Sequence, residues 1–183
     1  MVPLLYSCSW RTEPPPHCSP TQKLWLARSG ALTTGLRALG AFSLSVVSQG
    51  IEIALAEETD VMGHAPLWRR EVLMSIDKIP CVLARSVTPL SASHGCWQGI
   101  RKLGRRPLAD LLYHDPGITR SLFEISRIGR RHGLHQSLRR SGLGPTIESS
   151  LLARRSIFWR QDQPLLVSEC FLPAFWSLTA ARR

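Results

Sequence analysis

The sequence predicts an α+β fold, a single domain built on a roughly six-stranded antiparallel sheet with helices between its strands. Three observations carry this. Residues 68–76 and 80–88 are strand-like runs separated by Asp77-Lys78, a short polar turn of the kind that closes hairpins. Residues 151–172 repeat that arrangement around Gln161-Asp162. Between 22 and 39, by contrast, Leu24, Trp25, Leu32, Leu36 and Leu39 recur at helical spacing.

Taken in order, residues 1–20 form an extended arm, because Pro14, Pro15, Pro16 and Pro20 fix φ and remove backbone donors. One amphipathic helix is expected over 22–39, stopped by Gly40. Residues 42–49 and 51–57 read as two strands, the first alternating and rich in β-branched side chains. After the first hairpin, 97–103 is helical in character, and Arg106-Pro107-Leu108 opens a second helical piece that ends near the Asp115-Pro116-Gly117 turn. Residues 119–128 alternate as a strand, 129–150 form a basic loop with or without a short helix, and 151–172 form the last hairpin. The folded domain spans 21–176, followed by a tail over 177–183.

A chain of 183 residues, 44% hydrophobic and 20% charged, can bury a substantial core and lacks the signature of disorder. The net charge of +10 favours anionic partners: nucleic acid, a membrane surface, or a small carboxylated or phosphorylated metabolite. Five cysteines form no C-x-x-C pair, and no basic region followed by a long apolar stretch opens the chain. No uninterrupted apolar run reaches membrane-spanning length. These features predict a reduced, cytoplasmic protein without membrane insertion.

Residue-level chemistry narrows the choice. Trp68, Arg70, Val72, Met74 and Ile76 share one strand face, leaving Arg70 as the only charge in an apolar row. In the partner run Cys81, Leu83, Arg85 and Val87 form the corresponding row, and a two-residue turn at Asp77-Lys78 sets Arg85 opposite Arg70. Like charges facing each other on an apolar surface are unfavourable. Either an anion sits between them, or they reach the rim or pair with buried carboxylates. In the last hairpin Glu169 stands alone among Leu165, Val167 and Phe171, either paired with Arg154 opposite it or facing a ligand. Other constellations are weaker. His132 and His135 lie in an arginine-rich stretch that repels cations, so no metal or other cofactor is expected. The cluster Arg127, Arg130, Arg131, Arg139 and Arg140 has no interleaved aromatics, which argues against a nucleic-acid groove.

The segments W-R-R-E-V-L from Trp68, A-R-S-V-T-P from Ala84, L-G-R-R-P-L from Leu103, A-R-R-S from Ala153 and P-L-L-V-S-E-C-F-L-P from Pro164 together resemble the chorismate pyruvate-lyase family. The resemblance implies an enzyme that eliminates pyruvate from chorismate to leave 4-hydroxybenzoate, the first step towards ubiquinone. It further implies a monomer that uses no cofactor and encloses its ligand under helical flaps. Carried over by motif, Arg70 binds the ligand carboxylate and Glu169 contacts its hydroxyl, as orienter or acid/base group. Leu108 and Leu32 offer backbone contacts, although the family's usual methionine is absent near Leu32, and Arg85 matches a pocket-side arginine. A rival class is a non-catalytic ligand-binding module of the same fold. Such modules follow a DNA-binding domain, and here only the short arm precedes the first helix.

Overall fold

The computed structural model describes residues 10–113, 115–143 and 150–181. The first nine residues of the expected arm, positions 144–149 of the basic segment and the last two residues of the expected tail lie outside them.

Seven antiparallel strands form one sheet: β1 (Phe42–Ile53), β2 (Pro66–Ile76), β3 (Ile79–Pro89), β4 (Thr119–Arg120), β5 (Glu124–Ile128), β6 (Leu151–Arg160) and β7 (Gln163–Phe171). Their order is β1-β2-β3-β7-β6-β4, with β5 also pairing with β6. The two expected hairpins, β2–β3 and β6–β7, therefore meet through the β3–β7 pairing. The strand expected over 119–128 is two short strands, β4 and β5, both on β6. The two expected over 42–57 are one, bulged between Val46 and Ser48 and running into a 3-10 turn at Ala56–Glu58.

The helices are α1 (Pro20–Ala27), α2 (Leu32–Arg37), α3 (Thr59–Met62), α4 (Leu90–His94), α5 (Ala109–Leu112), α6 (Gly133–Arg140) and α7 (Pro173–Ala181). The single helix expected over 22–39 is thus two. Ser19 and Gln22 cap α1 reciprocally, with Pro20 at its first position. Gly30, at φ 75°, then turns the chain before α2. The break folds α2 back so closely that a Cβ on Gly35 would fall 2.8 Å from the Trp25 ring. The expected tail is helical to Ala181, with Thr179 buried. The described part of the arm is tied down: Arg11 bridges to Ile125, and Trp10 packs beside Leu134, Leu138 and Leu151.

Helices cover both faces of the sheet. On one, Leu26, Leu36 and Phe175 of α1, α2 and α7 pack against Val82 and Phe171. Beyond them, α4, the 3-10 turn Gln98–Lys102 and α5 set Trp97, Ile100 and Leu112 against Phe158 and Leu165. On the other face Leu134 and Leu138 of α6 meet Leu83, Ala153 and Cys170, and Met62 of α3 meets Val87 and Leu166. Each fully buried leucine or phenylalanine contributes about 1.5–3 kcal/mol. The four described cysteines are free; Cys18, Cys81 and Cys170 are buried, and Cys96 is partly exposed.

Register decides which side chains face which layer. Ile76 pairs with Ile79 and Ser75 with Pro80, but Met74 then pairs with Val82, so Cys81 is an extra residue in β3. Pro80 has no N–H to extend the ladder, and a bulge beside it turns every later β3 side chain to the opposite face. Arg70 consequently stands opposite Ser86, and Arg85 opposite Glu71. This corrects the expectation that Arg70 and Arg85 face each other.

Both hairpin turns hold two non-glycine residues at positive φ: Asp77 and Lys78 at 50° and 67°, Gln161 and Asp162 at 49° and 58°. That is the type I′ geometry, which favours glycine at its second position. Lys78→Gly should therefore stabilise the protein by about 0.5–1 kcal/mol, raising Tm by roughly 1–4 °C in thermal unfolding. An unchanged or lower Tm would show that the strained lysine is compensated elsewhere.

Candidate functional site

The cavity-facing row of each central strand is even-numbered on β2, β3 and β6 and odd-numbered on β7. Arg70, Val72, Met74, Ala84, Ser86, Arg154, Ser156, Phe158, Val167 and Glu169 form the sheet wall of one cavity. Two helical segments close it from above, one over Gly30–Thr33 at the start of α2 and one from Pro107 through α5 to Tyr113. Leu44 of β1 and Arg120 and Phe123 of the β4–β5 region complete the lining. Leu32 and Leu108 both lie in this lining, Leu32 opening α2 and Leu108 capping α5, where first-turn amides have no intrahelical acceptor.

Arg70 is 1% exposed. One terminal nitrogen donates to the carbonyls of Gly104 and Arg106 at 2.9 and 3.0 Å, while its Nε has no hydrogen-bond partner. Among the described residues no carboxylate reaches it, and burial alone pulls its basicity down. A desolvated guanidinium without a counter-ion is costly unless an anion completes the site.

Glu169 lies opposite Arg154, as the Gln161-Asp162 turn requires, and Arg154 Nε donates to its Oε2 at 2.6 Å. The pairing with Arg154 is therefore formed, and Glu169 also lines the cavity. Its side chain keeps 14% exposure against 1% for Arg154. Arg154 also donates to the carbonyls of Trp25 and Arg28 at 3.1 and 2.9 Å, capping the C-terminal end of α1. Its guanidinium lies 4.1 Å from the centre of the Phe123 ring. Sequence reasoning treated Arg154 only as a pairing partner and missed Arg120. The alternation Leu152, Arg154, Ser156, Phe158 could have placed the first, whereas the two-residue strand β4 offers no period for the second.

Arg85 is not in this lining. On the reverse face its guanidinium meets Glu58 at 2.6 Å, Glu52 at 2.9 Å and Glu71 at 3.0 Å. Burial depresses its basicity, but Glu58 and Glu52 outweigh that and raise it. Glu71 also accepts from Ser137 at 2.6 Å and Ser48 at 2.8 Å. Burial pushes its carboxyl up, but these hydroxyls and Arg85 bring it below its ordinary range. His132 and His135, considered as a metal pair, sit at the start of α6, where His132 accepts from the Leu134 amide and lies 2.9 Å from Glu57. Among the described residues no group of three potential metal ligands forms. No described helix is long and apolar enough to cross a membrane.

Fold and site together define an α+β domain with a cavity, lined by the buried guanidinium of Arg70, between a sheet and two helical segments. The chorismate lyase family model matches residues 6–181, and the chain belongs to that family. It is 51% identical to a probable chorismate pyruvate-lyase of Bordetella pertussis over 98% of this chain and 96% of that one. Identity is 40% with probable chorismate pyruvate-lyase 1 of Pseudomonas entomophila, covering 94% of each. Among solved structures, a GntR-family transcriptional regulator from Bacillus cereus superposes with a TM-score of 0.51 at 12% identity, covering 73% of this chain and 92% of that one. That likeness concerns the fold.

The two arginines should respond oppositely to replacement. Arg85→Met strands Glu58 and Glu71 in the interior and should cost about 3–5 kcal/mol in urea unfolding. Arg70→Met removes an uncompensated charge and should leave stability unchanged or raised. Equal losses would show that Arg70 has a structural counter-charge. The acid limb offers a second check. Because the carboxyl of Glu71 is lowered on folding from its ordinary value of 4.5, its stabilisation is complete above that pH. It is lost as pH falls through the lower folded value. Glu71→Gln should flatten the decline of unfolding free energy below that pH, and an unaltered slope would assign the decline to other carboxylates.

Proposed function

We propose that the protein eliminates pyruvate from chorismate, leaving 4-hydroxybenzoate. The observation that carries this is Arg70, a buried guanidinium lining an otherwise largely apolar cavity with no carboxylate among the described residues to neutralise it. Membership of the chorismate lyase family and the names of the relatives support the same reading. The reading extends to a cytoplasmic monomer that needs no metal or organic cofactor and whose product feeds ubiquinone synthesis.

In this mechanism Arg70 takes the ring carboxylate, and the amides of Leu32 and Leu108 contact the ligand from the helical side. Glu169, held in place by the hydrogen bond it accepts from Arg154 Nε, takes a hydrogen bond from the C4 hydroxyl. The ring loses its C4 hydrogen as a proton while the C3–oxygen bond breaks. The C–H electrons complete the aromatic ring, the ether electrons leave on enolpyruvate, and protonation of that fragment yields pyruvate. Aromatisation supplies the driving force, so the protein's task is orientation and one proton transfer. Arg85, held among carboxylates on the reverse face, has no part in it.

The test is incubation of the purified protein with chorismate, reading 4-hydroxybenzoate by absorbance and pyruvate by a coupled assay in equal amounts. Glu169→Gln should lower kcat about a hundredfold or more if the carboxylate moves the proton. A smaller loss shared with KM would assign it to orientation. Tight 4-hydroxybenzoate binding without turnover of chorismate would instead favour a ligand-binding module.

A further inference from the structure

We propose that Arg120 binds the second carboxylate of the substrate, on the enolpyruvyl group, and is thereby the residue that separates substrate from product. The proposal rests on the elimination reading above. The charged side chains in the cavity lining are Arg70, Arg120, Arg154 and Glu169. Arg154 is engaged by Glu169 and by the carbonyls that end α1. Two guanidiniums remain, and among the described residues neither Arg70 nor Arg120 meets a carboxylate. A lining with two uncompensated cations suits a dianion, and chorismate carries two carboxylates where 4-hydroxybenzoate carries one.

The placement of Arg120 fits the second carboxylate. It lies on β4 opposite Phe158 of β6, with its guanidinium 4.3 Å from the centre of the Phe123 ring and 5.9 Å from that of Phe158. Its Nη1 donates to Tyr113 Oη at 3.1 Å. These neighbours orient the guanidinium and leave its charge unneutralised. Along the order β2-β3-β7-β6-β4, Arg70 and Arg120 are four strand spacings apart, roughly 19 Å between backbones. Two long side chains thus reach inward from either side of Glu169 on β7. Arg70 is fully buried whereas Arg120 is partly exposed. The ring carboxylate is accordingly the deep anchor, and the enolpyruvyl group lies at the more accessible end. As the C3–oxygen bond breaks, negative charge builds on a fragment that already bears a carboxylate, and a fixed guanidinium stabilises that charge.

The experiment compares wild type, Arg120→Gln and Arg120→Lys for turnover of chorismate and for calorimetric binding of 4-hydroxybenzoate. Arg120→Gln should raise KM for chorismate about ten- to a hundredfold, the worth of one hydrogen-bonded charge contact. Its Kd for 4-hydroxybenzoate should stay within about twofold of wild type, which also reports an intact fold, and lysine should recover part of the loss. Unchanged KM in Arg120→Gln, or parallel weakening of both ligands, would overturn the assignment while leaving the elimination reading intact. A wild-type protein that releases no pyruvate from chorismate would overturn both.

Discussion

Arg154 is the interaction on which the arrangement of the site depends. It rises from β6 inside the sheet, fixes Glu169 on the neighbouring strand through Nε and closes the end of α1 through Nη1. One planar fork thereby sets both the position of the acidic group and the height of the first helical segment above it. The Gly30–Thr33 stretch that covers the cavity follows directly from that anchored end, so one residue positions both the cover and the floor. Any change that loosens Arg154 disturbs both together.

The two faces of the sheet treat charge differently. On the reverse face, Arg85 and Arg155 are each surrounded by carboxylates, the first by Glu52, Glu58 and Glu71 and the second by Asp60 and Glu124. On the cavity face Arg70 has, among the described residues, only two backbone carbonyls as hydrogen-bond partners. Fully paired buried charges stabilise a specific packing, whereas a buried cation left without its counter-ion holds affinity in reserve for a ligand. The alternation of strand side chains lets adjacent residues Arg69, Arg70 and Glu71 serve these separate purposes from one strand.

Much of this was legible in the alternation itself. The isolation of Arg70 on β2 and Glu169 on β7, the pairing of Glu169 with Arg154, and both two-residue turns follow from counting along the chain. The face of Arg85 does not, because one extra residue at Cys81 reverses everything beyond it, and only Pro80 hints at the irregularity. The division of the first helix was also hidden. Its leucines keep helical spacing across Arg28–Ala31, and the bend rests on Gly30 at positive φ, on the carbonyls held by Arg154 and on the close approach of Gly35 to Trp25. Arg120 escaped because a two-residue strand carries no pattern, and its meaning comes from Tyr113, Phe123 and Phe158 brought together in space.

The placement of the cysteines gives the molecule internal clocks. Cys170 is wholly enclosed, and burial pushes its thiol far above the ordinary range, so it stays protonated and unreactive towards electrophiles. Cys96, partly accessible and donating to the Arg160 carbonyl near the β6–β7 turn, needs only local fraying to be reached. An alkylating reagent would thus mark the two sites on separate timescales, one set by loosening at the sheet's end and the other by opening of the central strands.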